Sequence, residues 1–135
     1  MKIFIDTGAF IALTDADDEN HKAARAFYKS AAEKGARFVT TNFVVCETMN
    51  YLRARVSHNV AVIFRENIKK SGLIGIISIT PLIEDTAFNI FRQYTDKDFS
   101  FTDCTSFSAM KSLKLTRAFA FDKHFEQYEN FTRLP

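Results

Sequence analysis

Short apolar runs of three or four residues recur along the chain, separated by longer segments whose apolar residues keep helical spacing. This alternation limits the chain to few folds. Lys2 to Ile5, Phe38 to Thr40, Ile76 to Ile79 and Ala118 to Phe121 read as strands, with a further short strand near Phe131. Strands that alternate with helices favour a three-layer α/β/α fold around a mostly parallel sheet.

The helical segments carry their own punctuation. Gly8 to Thr14 reads as a short helix. Asp18 is expected to cap a second, from about His21 through Ala24, Phe27, Tyr28 and Ala31 to a stop at Gly35. Thr41 or Asn42 caps a third, with Val44, Glu47, Tyr51 and Ala54 along one face. Ser57 starts a fourth, with Val60, Ile63, Phe64 and Ile68 inward and Gly72 as its stop. Thr80-Pro81 is a cap and first-turn pair for a fifth helix, in which Ile83, Ala87, Ile90, Phe91 and Tyr94 are in register. Thr102 is expected to cap a sixth, with Phe107, Met110 and Leu113 inward.

No linker, repeat or low-complexity tract interrupts the pattern, so residues 1–135 are expected to form one domain. Fifteen Phe and no Trp point to a core built on Phe, Ile, Val and Leu. Cys46 and Cys104 cannot supply a disulfide framework or a thiolate zinc set; they read as small buried hydrophobes in a reducing compartment. No apolar run is long enough for a membrane span, and the first residues resemble a strand more than a signal peptide, so a cytoplasmic protein is expected.

The acids fall where strands end. Asp6 follows Lys-Ile-Phe-Ile and Asp122 follows Ala-Phe-Ala-Phe. In an open parallel sheet the carboxyl ends of the strands form the crevice in which ligands bind, so two such Asp residues meet if their strands are neighbours. Glu47 sits early in a helix, either buried with a partner or solvated at the rim. Asp103 follows Thr102, where simple compensation of the helix dipole would also explain it. If the four converge, their repulsion requires protons or a cation, and an all-oxygen site selects a hard ion such as Mg²⁺ or Mn²⁺. Such an ion beside a phosphodiester supports its hydrolysis. The 18 Lys and Arg outnumber the 12 acids that remain when these four are set aside, a mildly basic balance that suits a polyanion.

Three blocks resemble the PIN-domain nucleases, and most of all the VapC-type toxins of toxin–antitoxin pairs. They are Ile-Asp-Thr-Gly-Ala-Phe at 5–10, Val-Val-Cys-Glu-Thr at 44–48, and Phe-Ser-Phe-Thr-Asp-Cys at 99–104 running on to Phe-Asp-Lys-His-Phe at 121–125. The resemblance implies an endoribonuclease with Asp6, Glu47, Asp103 and Asp122 as its catalytic metal-site acids. It implies that Thr7 and Thr102 orient a carboxylate, a water or a phosphate. It also implies an RNA substrate, an antitoxin partner, and a homodimer to which the helix pair from Asn42 to Gly72 contributes.

Around this set, Asp98 reads as a solvated loop acid and His124 as a structural or solvated side chain more readily than a functional one. Arg65, Lys69, Lys111, Lys114, Arg117 and Lys123 are candidates for phosphate contact. Phe43, Tyr51 and Phe64 are candidates for a groove that takes a partner helix. A housekeeping RNA-processing nuclease of the same fold is the alternative, followed by a non-catalytic binding module. A haloacid-dehalogenase-type phosphatase needs a second Asp two residues after Asp6, where Gly8 stands. No Ser or Cys nucleophile has a convincing His partner, and there is no glycine-rich phosphate loop.

Overall fold

The computed structural model describes all residues, Met1–Pro135. Five parallel strands form one sheet in the order β3-β2-β1-β4-β5, and helices flank it as in an α/β/α fold. The strands are β1 (Lys2–Ile5), β2 (Arg37–Thr41), β3 (Ile74–Ile77), β4 (Arg117–Phe119) and β5 (Thr132–Leu134). The helices are α1 (Thr7–Thr14), α2 (His21–Glu33), α3 (Asn42–Arg55), α4 (His58–Lys70), α5 (Pro81–Gln93), α6 (Phe101–Ser112) and α7 (His124–Gln127).

Strand β1 lies at the centre, with β2 on one side (Phe4 opposite Val39) and β4 on the other (Ile5 opposite Phe119). Ile3, Phe4 and Ile5 are therefore buried on both faces, which explains a continuous apolar run in place of an alternating one. The buried Thr40 hydroxyl donates to the Ile5 carbonyl at 2.9 Å, and the Asp6 N–H donates to the Phe119 carbonyl at 3.1 Å. Those two bonds tie the ends of β2, β1 and β4 together just before the chain turns into α1.

Several local expectations are corrected. β3 begins at Ile74, not Ile76, because its register is set by pairing with β2 from Phe38 onward; the Ile79 N–H is taken up by Asn42 Oδ1 at 2.8 Å. β4 ends at Phe119, so Asp122 lies past Ala120 and Phe121 rather than directly after the strand. Asp18 does not cap α2. Its carboxylate accepts the Asn20 N–H at 2.8 Å, while Asp15 accepts that of Asp17 at 3.0 Å, which makes the acidic stretch a pair of local turns. Thr41 caps α3 through the Val44 N–H, and Ser57 and Thr80 cap α4 and α5 as their sequences indicate. α6 is capped by Ser100, not Thr102.

The inward face of α3 is Val44, Val45, Thr48 and Leu52, which leaves Tyr51 and Ala54 outside. Cys104 is buried, but Cys46 is exposed on α3, against the expectation of two buried thiols. Ile63, Phe91 and Leu113 are likewise exposed, the last because it sits at the C-cap beyond the packed part of α6. No helix is long and apolar enough to cross a membrane.

The core is aromatic. Phe107 of α6 is fully buried, stacked on Tyr128 at 4.6 Å and edge-on to Phe99 at 5.0 Å and Phe125 at 5.2 Å. Such pairs prefer these geometries because ring edges are positive and ring faces negative. Phe107→Ala should cost about 3–5 kcal/mol, read as a lower urea midpoint at unchanged slope; a loss under about 1 kcal/mol would show that this cluster does not hold α6 to the sheet.

Candidate active site

The end of β1, the start of α1, the second turn of α3 and the first turn of α6 meet at the carboxyl edge of the sheet. A cleft of about 280 Å³ opens there, and Asp6, Glu47, Asp103 and Asp122 all line it, with Thr7, Ser100 and His124 among the other walls. Sequence places these acids far apart, and parallel topology brings them together. β1 and β4 are neighbours, so Asp6 and the turn that carries Asp122 lie side by side.

Asp6 occupies the N-cap position of α1, yet its side chain accepts no capping bond. The carboxyl thus remains available to the cleft while staying at the positive end of the helix. Only 5% of Asp6 is exposed. Burial pushes its carboxyl up to about 8; the charge of Asp103 adds to the rise, a backbone hydrogen bond from Thr7 opposes it, and Glu47 and Asp122 raise it further. One proton therefore stays in the cation-free cleft at neutral pH.

Asp103 is held more firmly. It is the third residue of α6 and forms a capping box: its N–H donates to Ser100 Oγ at 3.0 Å, and its Oδ2 accepts the Ser100 N–H at 3.0 Å. His124 Nδ1 donates to the same Oδ2 at 2.8 Å. Burial still dominates and raises the Asp103 carboxyl above the ordinary range, against the lowering effects of Ser100 and His124.

Asp122 is fixed from the other side. Its Oδ1 accepts the His124 N–H at 2.9 Å, and its Oδ2 lies 3.1 Å from His124 Nδ1. One imidazole nitrogen thus bridges two carboxylates. Asp103, Asp122 and His124 offer ligand atoms within 4.8 Å of one another, and that donor set fits a divalent cation. Glu47 is half-buried at the rim, close enough for its charge to act on Asp6.

His124 and Ser100 are the residues that sequence reasoning undervalued. The Asp-Lys-His spacing at 122–124 permits a tight turn that folds the ring back onto Asp122, but its contact with Asp103 spans 21 residues and has no local signal. Asp98 also lines the cleft. Thr7 lines it with a buried hydroxyl that has no hydrogen-bond partner. Thr102 does not line it; it stands in the first turn of α6, and its carbonyl accepts the Thr105 hydroxyl at 2.7 Å.

Comparison with known proteins agrees with this geometry. The PIN domain family matches residues 3–130. The chain is 32% identical over 123 residues to the 23S rRNA-specific endonuclease VapC20 of Mycobacterium tuberculosis, covering 91% of both chains. The crystal structure of that protein, described as a Sarcin–Ricin loop cleaving toxin, superposes with a TM-score of 0.85 at 30% identity over 93% of each chain. Two more distant structures share the fold. VapBC2 from Rickettsia felis, bound to a DNA fragment from its promoter, has a TM-score of 0.76 at 9% identity, over 99% of this chain and 98% of that one. FitAcB from Neisseria gonorrhoeae has a TM-score of 0.70 at 13% identity, over 100% and 97%. The family match across nearly the whole chain, together with the identity to VapC20, shows that this protein belongs to the PIN domain family, among its VapC-type nucleases.

Proposed function

We propose that the protein is the toxin of a toxin–antitoxin pair, an endoribonuclease that hydrolyses RNA phosphodiester bonds with Mg²⁺ or Mn²⁺ held by Asp6, Glu47, Asp103 and Asp122. The observation that carries this reading is the convergence of those four acids on one cleft, with the Asp6 carboxyl pushed up to about 8. Carboxylates so crowded are stable in their charged form only beside a cation. When bound, that cation supplies Lewis acidity at the phosphoryl oxygens and a more acidic water.

The remaining chemistry belongs to the protein's own residues. His124 fixes the rotamers of Asp103 and Asp122 through Nδ1, and Ser100 holds Asp103 through its backbone N–H. Rigid placement of ligands matters because misplacement by an ångström is costly in rate. The unpartnered Thr7 hydroxyl is a donor for a substrate phosphate oxygen, in keeping with an orienting role. Ser100 takes the place that Thr102 held in the sequence reading. Ribosomal RNA is the first substrate to offer, since the relative at 32% identity carries 23S rRNA in its name. The working compartment in this reading is the cytoplasm.

The antitoxin has a site to match. An apolar groove of about 790 Å³ runs between α1, α2 and α4, lined by Phe10, Tyr28, Phe64 and Ile68, with Arg25 and a Lys29–Glu33 pair at 4.0 Å on its wall. It fits an amphipathic helix with acidic residues beside its apolar stripe. Of the three aromatics expected there, Phe64 lines it, while Phe43 and Tyr51 do not. Self-association also belongs to the reading, with exposed Val56 just after α3 and exposed Val62 on α4 as contact residues; light scattering of the isolated chain reads it.

Cleavage of an rRNA stem-loop should require Mg²⁺ or Mn²⁺ and stop with chelator. Asp6→Asn and Asp103→Asn should each lower the rate at least ~100-fold, since loss of supporting residues alone costs metal sites 10- to 100-fold. Undiminished cleavage by both variants would overturn the site.

A second expectation concerns pH. The native Asp6 carboxyl holds its proton up to about pH 8, while the unfolded chain releases it near the ordinary carboxyl value of 3.8. The native state binds more protons across that window, so cation-free stability should fall as pH rises from about 4 to about 8. Melting curves in chelator should therefore show a lower Tm at pH 8 than at pH 5.5, with Asp6→Asn flattening the difference and Mn²⁺ stabilising more at pH 8. A Tm that rises steadily over this range in chelator would show that Asp6 ionises freely.

A further inference from the structure

We propose that Tyr51 and Arg55 form a substrate subsite beside the cleft, where the tyrosine ring stacks on an unpaired nucleobase and the arginine meets an adjacent phosphate. The inference rests on the ribonuclease reading and extends it to the form of RNA accepted. Tyr51 is four residues after Glu47 on α3, so the two side chains are neighbours on one helix face, about 6 Å apart along the axis. Glu47 lines the acidic cleft, and Tyr51 is 40% exposed on the helix surface beside it.

Arg55 follows one turn later, with its guanidinium carbon 5.8 Å from the centre of the Tyr51 ring. No carboxylate pairs with Arg55, so its charge remains available to an anion. A single exposed tyrosine on a protein surface has no special meaning. Here it stands between a phosphodiester-cleaving centre and a free cation that already leans on its ring.

The chemistry of the cleft favours such a subsite. A pocket walled by four carboxylates gives little affinity for a polyanion, so attraction must come from groups at its border. Aromatic stacking with arginine nearby binds single-stranded nucleic acid in this way, because every base has a π face. A base must leave its helix to stack on a protein ring, so the pair selects loops and single strands over continuous duplex.

The test is binding of a short single-stranded RNA carrying 2-aminopurine, with Ca²⁺ replacing Mn²⁺ to leave the RNA uncleaved. The unsubstituted protein should bind and quench the fluorophore. Tyr51→Ala should bind at least ~5-fold more weakly and lose the quench, Tyr51→Phe should retain both, and Arg55→Ala should reduce the salt dependence by about one ion. Mn²⁺ affinity of Tyr51→Ala, measured by calorimetry, should be unchanged. The subsite is overturned if Tyr51→Ala binds RNA normally, if Tyr51→Phe fails as badly as the alanine variant, or if Mn²⁺ affinity falls in parallel. Absence of RNA binding by the unsubstituted protein would overturn the subsite alone, whereas absence of metal-dependent cleavage of the rRNA stem-loop would overturn the ribonuclease reading on which it rests.

Discussion

Mutual repulsion among carboxylates that the fold refuses to solvate is the constraint on which the site depends. Asp6 and Asp103 are both buried and both raised above the ordinary carboxyl range, chiefly by burial and then by neighbouring charge. A protein selected for stability alone would place apolar or neutral residues at such positions, because uncompensated buried charge is costly. The scaffold tolerates the arrangement through devices that favour negative charge: the amino end of α1 at Asp6, the capping box at Asp103, and an imidazole shared between Asp103 and Asp122.

Those devices are anchored in the most rigid part of the molecule. The central strand β1 is paired on both sides, and Asp6 begins where its pairing ends. α6 is buried from Asp103 to Met110, with Phe107 locked among Phe99, Phe125 and Tyr128. The same aromatic group reaches the site, since Phe99 lies edge-on to His124 at 5.5 Å. Core packing and site geometry are therefore continuous, and a disturbance in the Phe cluster reaches the ring that orients two acids.

Much of this was legible in the sequence, and the failures have physical causes. Strand existence followed from short apolar runs, whereas sheet order and strand ends did not, because tertiary pairing and its register rather than local composition set them, as β3 shows with its start at Ile74. The cap of α6 lies two residues before Thr102: Ser100 and Thr102 are both competent caps, and Ser100 is the one whose hydroxyl accepts the Asp103 N–H and whose own N–H donates to Asp103 Oδ2. The face of α3 was misjudged because Glu47 and Tyr51 do share a side of the helix, but that side borders the cleft and solvent rather than the core. Cys46 lies on the solvent side of the same helix, next to Asn50.

By itself the sequence determined the alternation of strands and helices, the parallel sheet it demands, and Asp6 at the end of its strand. These follow from local periodicity and from the short reach of hydrogen-bonded elements. Only the tertiary structure decided that Glu47, Asp103 and Asp122 join it, that His124 bridges Asp103 and Asp122, and that Tyr51 and Arg55 stand exposed on α3. Each depends on contacts between residues distant in the chain or on which helix face the sheet leaves open, and local pattern carries no information about either.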